Sequence, residues 1–149
     1  MGDISAHFSR SEFACGDGTP YPAAWEEELV RLCGVLEAVR SVAGSGRPGD
    51  TRCVVTSGYR TPGWNKLQGG VRKSQHLAGK AADILIYTRE PGGEWSKVSP
   101  LVVARRVEQL HRQGAIVAGG LGWYQSFTHV DTRGRFCAWG KSRALARAL

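Results

Sequence analysis

The sequence predicts a single α+β domain in which helices flank a central antiparallel sheet. Three observations lead there. An apolar helical period runs early in the chain, from Pro22 to about Ser41. Short runs rich in β-branched and aromatic residues, separated by glycines, crowd the last third as "AIVAG", "GLGWY", "FTHVD" and "RFCAW". A length of 149 residues with 42% hydrophobic content suffices for one core and is too little for two independent ones. Helices first and clustered strands later is the order of an α+β domain with an antiparallel sheet.

Each element has its own signal. Ser9 and Glu12 have capping-box spacing and open a short helical turn. The turn-rich "CGDGTPYP" follows, after which Pro22 occupies the first turn of a long helix. Trp25, Leu29, Leu32, Leu36 and Val39 give that helix a core-facing stripe, and Glu26, Glu27 and Glu28 sit at its positive end. "GSGRPGD" is a loop, and "CVVTSGY" reads as a buried strand. "AADILIY" is a second strand and "REPGGEW" an exposed hairpin loop or flap. Ser99 caps, Pro100 opens and Gly114 ends a second long helix. With no internal repeat or low-complexity linker, the domain is expected to fill residues 1–149, its core about 7–139 and a basic tail over 140–149.

Charge and cysteines narrow the class. Lys and Arg number 20 against 13 Asp and Glu, and after Asp131 come Arg133, Arg135, Lys141, Arg143 and Arg147 with no acid. Such a surface favours a polyanionic partner, whether nucleic acid, an anionic membrane surface or an anionic cell wall. No nucleic-acid recognition motif is present, so specific nucleic-acid binding is not expected. No apolar run is long enough to span a bilayer, and His7, Ser9, Arg10 and Glu12 interrupt any leader-like core near the start. The expectation is a chain made in the cytoplasm without an ordinary signal peptide. Cys15, Cys33, Cys53 and Cys137 form no C-x-x-C pair, which argues against a zinc knuckle and leaves thiols and disulfides both open.

The stretch "SQHLAGKAADI" concentrates the chemistry. In one continuous helix His76 and Asp83 would stand about 10.5 Å apart along the axis. Fully extended, they would be about 23 Å apart. Neither arrangement lets both reach one ion. A turn over Leu77 to Lys80 brings them together, and Gly79 supplies the backbone freedom for it. In "FTHVD", His129 and Asp131 share a face of an extended strand. Two imidazoles and one carboxylate suit zinc and leave a fourth position for water. His7 and His111 are read as ordinary surface or helix-end residues.

At these positions the chain resembles a known family. S-x-H-x-x-G-x-A-x-D, here Ser74, His76, Gly79, Ala81 and Asp83, followed by the strand histidine of "FTHVD", is similar to the zinc D-Ala-D-Ala carboxypeptidase and peptidoglycan endopeptidase family. That family includes vancomycin-resistance dipeptidases and phage L-alanyl-D-glutamate endolysins, and shares its fold with the Hedgehog signalling domain. "HFSRSEF", "TSGYRTPGWNKLQGG" and "GGLGWYQSFTHVDTRGR" extend the likeness to the murein endopeptidase branch with an H-V-D ending, from about His7 to Trp139.

The resemblance implies one zinc ion on His76, Asp83 and His129, with Arg60 gripping a substrate carboxylate or carbonyl. Ser74 hydrogen-bonds substrate or a ligand, or caps the turn. Many members place an acid three residues before the last ligand or a histidine two before it, and here those positions are Ser126 and Phe127. Asp131 is then the nearest replacement as general base, with orientation of a ligand as its alternative role. Trp123 and Tyr124 stay outside the catalytic set. The implied activity is hydrolysis of peptidoglycan stem peptides or cross-links by a monomer, as a D,D- or L,D-type carboxypeptidase or endopeptidase acting at the cell wall. A phage or prophage lysin or a virion component fits that setting. The rivals are a non-catalytic wall- or protein-binding module that keeps the fold and metal, and a non-haem iron oxygenase built on His76, His129 and Asp131.

Overall fold

Helix α1 (Glu26–Ala43) and helix α3 (Pro100–Arg112) lie against one face of a six-stranded sheet in a single α+β domain. The computed structural model describes residues 2–44, 47 and 49–140. The basic tail expected over 140–149 therefore lies, apart from Gly140, outside the described residues. The strands are β1 (Thr51–Ser57), β2 (Ala81–Arg89), β3 (Trp95–Lys97), β4 (Gly120–Trp123), β5 (Thr128–Asp131) and β6 (Cys137–Gly140). Their order is β1-β2-β5-β4-β6, with β3 also paired to β2. A short helix α2 (Pro62–Leu67) and 3-10 turns at Arg10–Phe13, Ala23–Trp25 and Gln75–Ala78 complete the chain.

The helical stripe behaves as its spacing predicts. Leu29, Leu32, Leu36 and Val39 are fully buried and meet Ala82, Ile84, Ile86, Leu121 and Val130 of the sheet, together with Val103 and Val107 of α3. Full burial of one such side chain contributes about 1.5–3 kcal/mol. Trp25 departs from the stripe: it is 37% exposed and stands edge-on to Tyr59 and Tyr21. It ends the 3-10 turn that Pro22 opens, so the α-helix proper starts at Glu26 and continues to Ala43. Around α3 the expectation holds: Ser99 Oγ accepts the Leu101 amide, and Gly114 takes the left-handed conformation just past the end.

Three strand expectations need correction. "CVVTSGY" does not form a buried strand: β1 is an edge strand paired to β2 alone, and Arg52, Val54 and Thr56 face outward. "AIVAG" is no strand at all. Ile116 turns toward the core while Val117 faces solvent, and the carbonyls of Ala118 and Gly119 accept from the amides of Gly134 and Cys137 instead of entering a ladder. The sheet is also mixed, because β6 runs parallel to β4. A strand that returns antiparallel to β5 but settles beyond β4 has no other direction available. "REPGGEW" is the hairpin that joins β2 to β3.

All four cysteines are free thiols. Burial pushes the Cys33 thiol up to about 12 and raises Cys53 as well. With a chromogenic disulfide reagent near pH 8, Cys33 and Cys53 are expected to stay unreacted in the native protein, and all four thiols to titrate after denaturation. Fewer than four in denaturant reveals a disulfide. Leu36→Ala is expected to lower the unfolding free energy by about 2–5 kcal/mol in urea titrations.

Candidate metal centre

The site sits on the sheet face opposite the helices, where β2 and β5 pair antiparallel with Asp83 directly across from His129. Side chains directly opposite in a ladder share a face, and here His129 Nδ1 lies 3.0 Å from Asp83 Oδ1. His76 reaches the same oxygen from the 3-10 turn before β2, its Nε2 at 3.2 Å. Ser74 Oγ accepts the His76 amide at 3.2 Å, which caps that turn. Gly79 ends it at φ +69°, and the Tyr21 hydroxyl donates to the Gly79 carbonyl at 2.9 Å. The fold-back expected between His76 and Asp83 is therefore a capped 3-10 turn closed by a left-handed glycine.

The far nitrogen of each imidazole has a fixed partner. His76 Nδ1 is 2.7 Å from the carbonyl of Gly58, which can only accept, so the proton is on Nδ1. Gly58 is pressed against the Phe13 backbone: a Cβ there would lie 2.7 Å from Phe13 Cα. His129 Nε2 is 2.8 Å from Asp131 Oδ2, a carboxylate that likewise only accepts. The remaining nitrogens, His76 Nε2 and His129 Nδ1, thus turn lone pairs toward one carboxylate oxygen. Three acceptors converging in a buried space require a cation among them. A metal ion held by the three atoms would supply it. His76, Asp83 and His129 are all buried, and their ligand atoms lie within 4.8 Å of one another. The donor set fits zinc.

Electrostatics reinforce the arrangement. Burial pushes the Asp83 carboxyl up, but hydrogen bonds from His129 and His76 more than offset it and hold Asp83 well below the usual carboxylate range. Its second oxygen, Oδ2, accepts from Arg60 Nη2 at 3.3 Å. Arg60 also donates through Nε to Ser57 Oγ and through Nη1 to Asn65 Oδ1, so the guanidinium expected to grip substrate also braces Asp83. Burial likewise raises Asp131, and His129, Arg133 and the Gly120 amide bring it far down. For His129, burial lowers the imidazole and the carboxylates of Asp131 and Asp83 raise it, with a net rise.

Asp131 lies behind His129, not beside the open space. Its side chain is 0% exposed, and its oxygens accept from the Gly120 amide and from Arg133 as well as from His129. Ala81, opposite Asp131 in the ladder, leaves room for it. A cleft of about 480 Å³ opens in front of the three ligand residues, and Arg60, Lys73 and Arg133 make its lining cationic. Ser74 lines the cleft too.

Sequence reasoning missed Arg133, Asn65 and the Gly58 carbonyl. A signal existed for the first: 129, 131 and 133 are alternate positions, so an H-x-D-x-R pattern at a strand end puts an imidazole, an acid and a guanidinium in line. A carbonyl that selects a tautomer leaves no mark in a sequence.

Equilibration with zinc is expected to load one ion per chain and raise the melting temperature, and His76→Ala or Asp83→Ala to abolish both effects in metal analysis and thermal melts. Imidazole nitrogens must be unprotonated to bind, and the carboxylates around His129 favour its protonated form, so zinc retention is expected to fall as pH is lowered. Zinc retention unchanged by either substitution contradicts the site.

The profile of a family described as Peptidase M15 matches residues 6–131. No match was found among curated proteins or among solved structures. The family is zinc-dependent, in keeping with the buried His–Asp–His group. With the match covering most of its 149 residues, from before the first 3-10 turn to the end of β5, this chain belongs to the Peptidase M15 family of peptidases.

Proposed function

We propose that this protein is a zinc-dependent peptidase that hydrolyses amide bonds in the peptide part of bacterial peptidoglycan. The observation that carries the reading is the convergence of His76 Nε2, Asp83 Oδ1 and His129 Nδ1 at the floor of an open cleft, in a chain of a peptidase family. The cleft chemistry supports the substrate class. Asp83 is the sole carboxylate among the described lining residues, against Arg60, Lys73 and Arg133, and stem peptides bear free carboxylates that such a surface attracts.

A bound zinc supplies Lewis acidity, activating water and polarising the amide carbonyl near neutral pH. The chain's own residues set the geometry. Gly58 and Asp131 fix the tautomers of His76 and His129, so each imidazole presents an unprotonated nitrogen without rearrangement. Arg60 holds Asp83 Oδ2 and keeps Oδ1 facing the two imidazoles, and its N–H groups not spent on Asp83, Ser57 or Asn65 are available to a substrate carbonyl or carboxylate. Ser74 acts as the cap of the His76 turn.

We assign Asp131 to orienting His129 in place of the general-base role expected from its strand position. Full burial and a complete set of donors around its carboxylate support this assignment. The lack of an uncommitted carboxylate or histidine among the described cleft residues favours one second reading, a metal-containing module that binds wall peptides without cutting them.

The test is mass spectrometry of purified peptidoglycan after incubation with zinc-loaded protein and with His76→Ala. New stem-peptide fragments from the wild type alone support the peptidase, and their masses name the bond and separate carboxypeptidase from endopeptidase action. Bound peptide with no fragments supports the module. For Asp131→Asn, zinc affinity is expected to fall about 10- to 100-fold while turnover at saturating zinc is largely kept. Full zinc occupancy with turnover lost restores the general-base role.

A further inference from the structure

The loop between β4 and β5 holds a side chain that the site description leaves unused. Tyr124 and Phe127 stack there with ring centroids 4.5 Å apart and planes 13° from parallel. The loop is tied twice: the Tyr124 amide donates to the Phe127 carbonyl at 3.1 Å, and Lys97 Nζ from β3 donates to the Ser126 carbonyl at 2.7 Å. Tyr124 is 39% exposed, and it lines the same cleft as His76, Asp83 and His129.

Its hydroxyl is oriented by Trp139. The indole Nε1–H lies 2.8 Å from Tyr124 Oη, and an indole nitrogen only donates, so the phenol oxygen is the acceptor. The phenol's own proton is left for another partner, and among the described residues no protein acceptor takes it. Trp139 in turn rests on His129, ring centroids 4.9 Å apart. Gly122 makes both approaches possible. It pairs with His129 on one side and Trp139 on the other, and a Cβ there would lie 2.7 Å from Trp139 Nε1 and 2.9 Å from Tyr124 Cε2.

Amide hydrolysis adds the oxygen of water to the carbonyl carbon, breaks the C–N bond and delivers a proton to the departing nitrogen. The carbonyl oxygen carries extra negative charge between those events. A fixed donor aimed at that oxygen stabilises the charge without giving up its proton. We infer that Tyr124 is a catalytic residue whose hydroxyl donates a hydrogen bond to the scissile carbonyl oxygen, with Trp139 as its positioning residue. This inference rests on the peptidase reading above.

The experiment is steady-state kinetics of zinc-loaded wild type, Tyr124→Phe and Trp139→Phe on a stem peptide, with zinc content measured alongside. Tyr124→Phe is expected to lower kcat about 100-fold with KM within about twofold, and Trp139→Phe to lower kcat by about tenfold, both at unchanged zinc content. Calorimetry with a phosphinate analogue of the hydrated amide is expected to show about 100-fold weaker binding to Tyr124→Phe, while binding of the cleaved product peptide is unaffected. A Tyr124→Phe variant with wild-type kcat, or one that changes KM alone, overturns the inference and leaves the peptidase reading standing. A wild type that cuts no stem peptide overturns both.

Discussion

Asp83 and His129 face each other across the β2–β5 ladder, and the rest of the site is built outward from that pairing. Two side chains directly opposite in an antiparallel ladder are held at contact distance by backbone hydrogen bonds several residues deep, so their separation does not depend on loop conformation. His76 needs only to reach that fixed pair. A capped turn of a few residues achieves this because Ser74 begins it, Gly79 ends it, and the backbone of Gly58 stops the far side of the ring. The same ladder sets Asp131 opposite Ala81, where a larger side chain would compete for the space the carboxylate occupies.

Burying this much charge is costly, and the structure offsets the cost by surrounding both carboxylates with donors. Asp131 is wholly enclosed yet accepts from His129, Gly120 and Arg133. Asp83 shares its oxygens between two imidazoles and Arg60. These contacts hold both carboxylates ionised, as acceptors for the imidazole edges and for a cation. Rigidity of this kind suits a metal centre, since ligands already in place need no reorganisation when the ion enters. One consequence is that the acid closest in sequence to His129 is fully committed behind it, leaving the cleft itself without an uncommitted carboxylate or histidine among the described positions.

Much of this was legible in the sequence, and the reasons differ by element. The stripe Leu29, Leu32, Leu36 and Val39 and the Ser99, Pro100 and Gly114 signals work because local periodicity and caps are short-range physics. The fold-back between His76 and Asp83 was readable because neither a helix nor a strand could join the two residues at one ion. "AIVAG" misled because β-branched composition describes a preference, whereas a strand needs a partner, and the amides of Gly134 and Cys137 hold this segment's carbonyls in another way. The outward face of β1 and the parallel β4–β6 pair follow from strand order, a long-range property. That Arg60 braces Asp83 is not legible in the sequence, because its neighbours Ser57 and Asn65 are assembled by the turn into α2.

Opposite nitrogens of the two histidines face the candidate metal position, each selected by a protein acceptor behind the ring. Nitrogen-15 correlation spectra of the imidazoles, recorded before and after one equivalent of zinc, test it directly. Nδ1–H on His76 and Nε2–H on His129 are expected in the loaded protein, with zinc-induced shifts at His76 Nε2 and His129 Nδ1. Zinc shifts at His76 Nδ1 or His129 Nε2, or at neither ring, would contradict it.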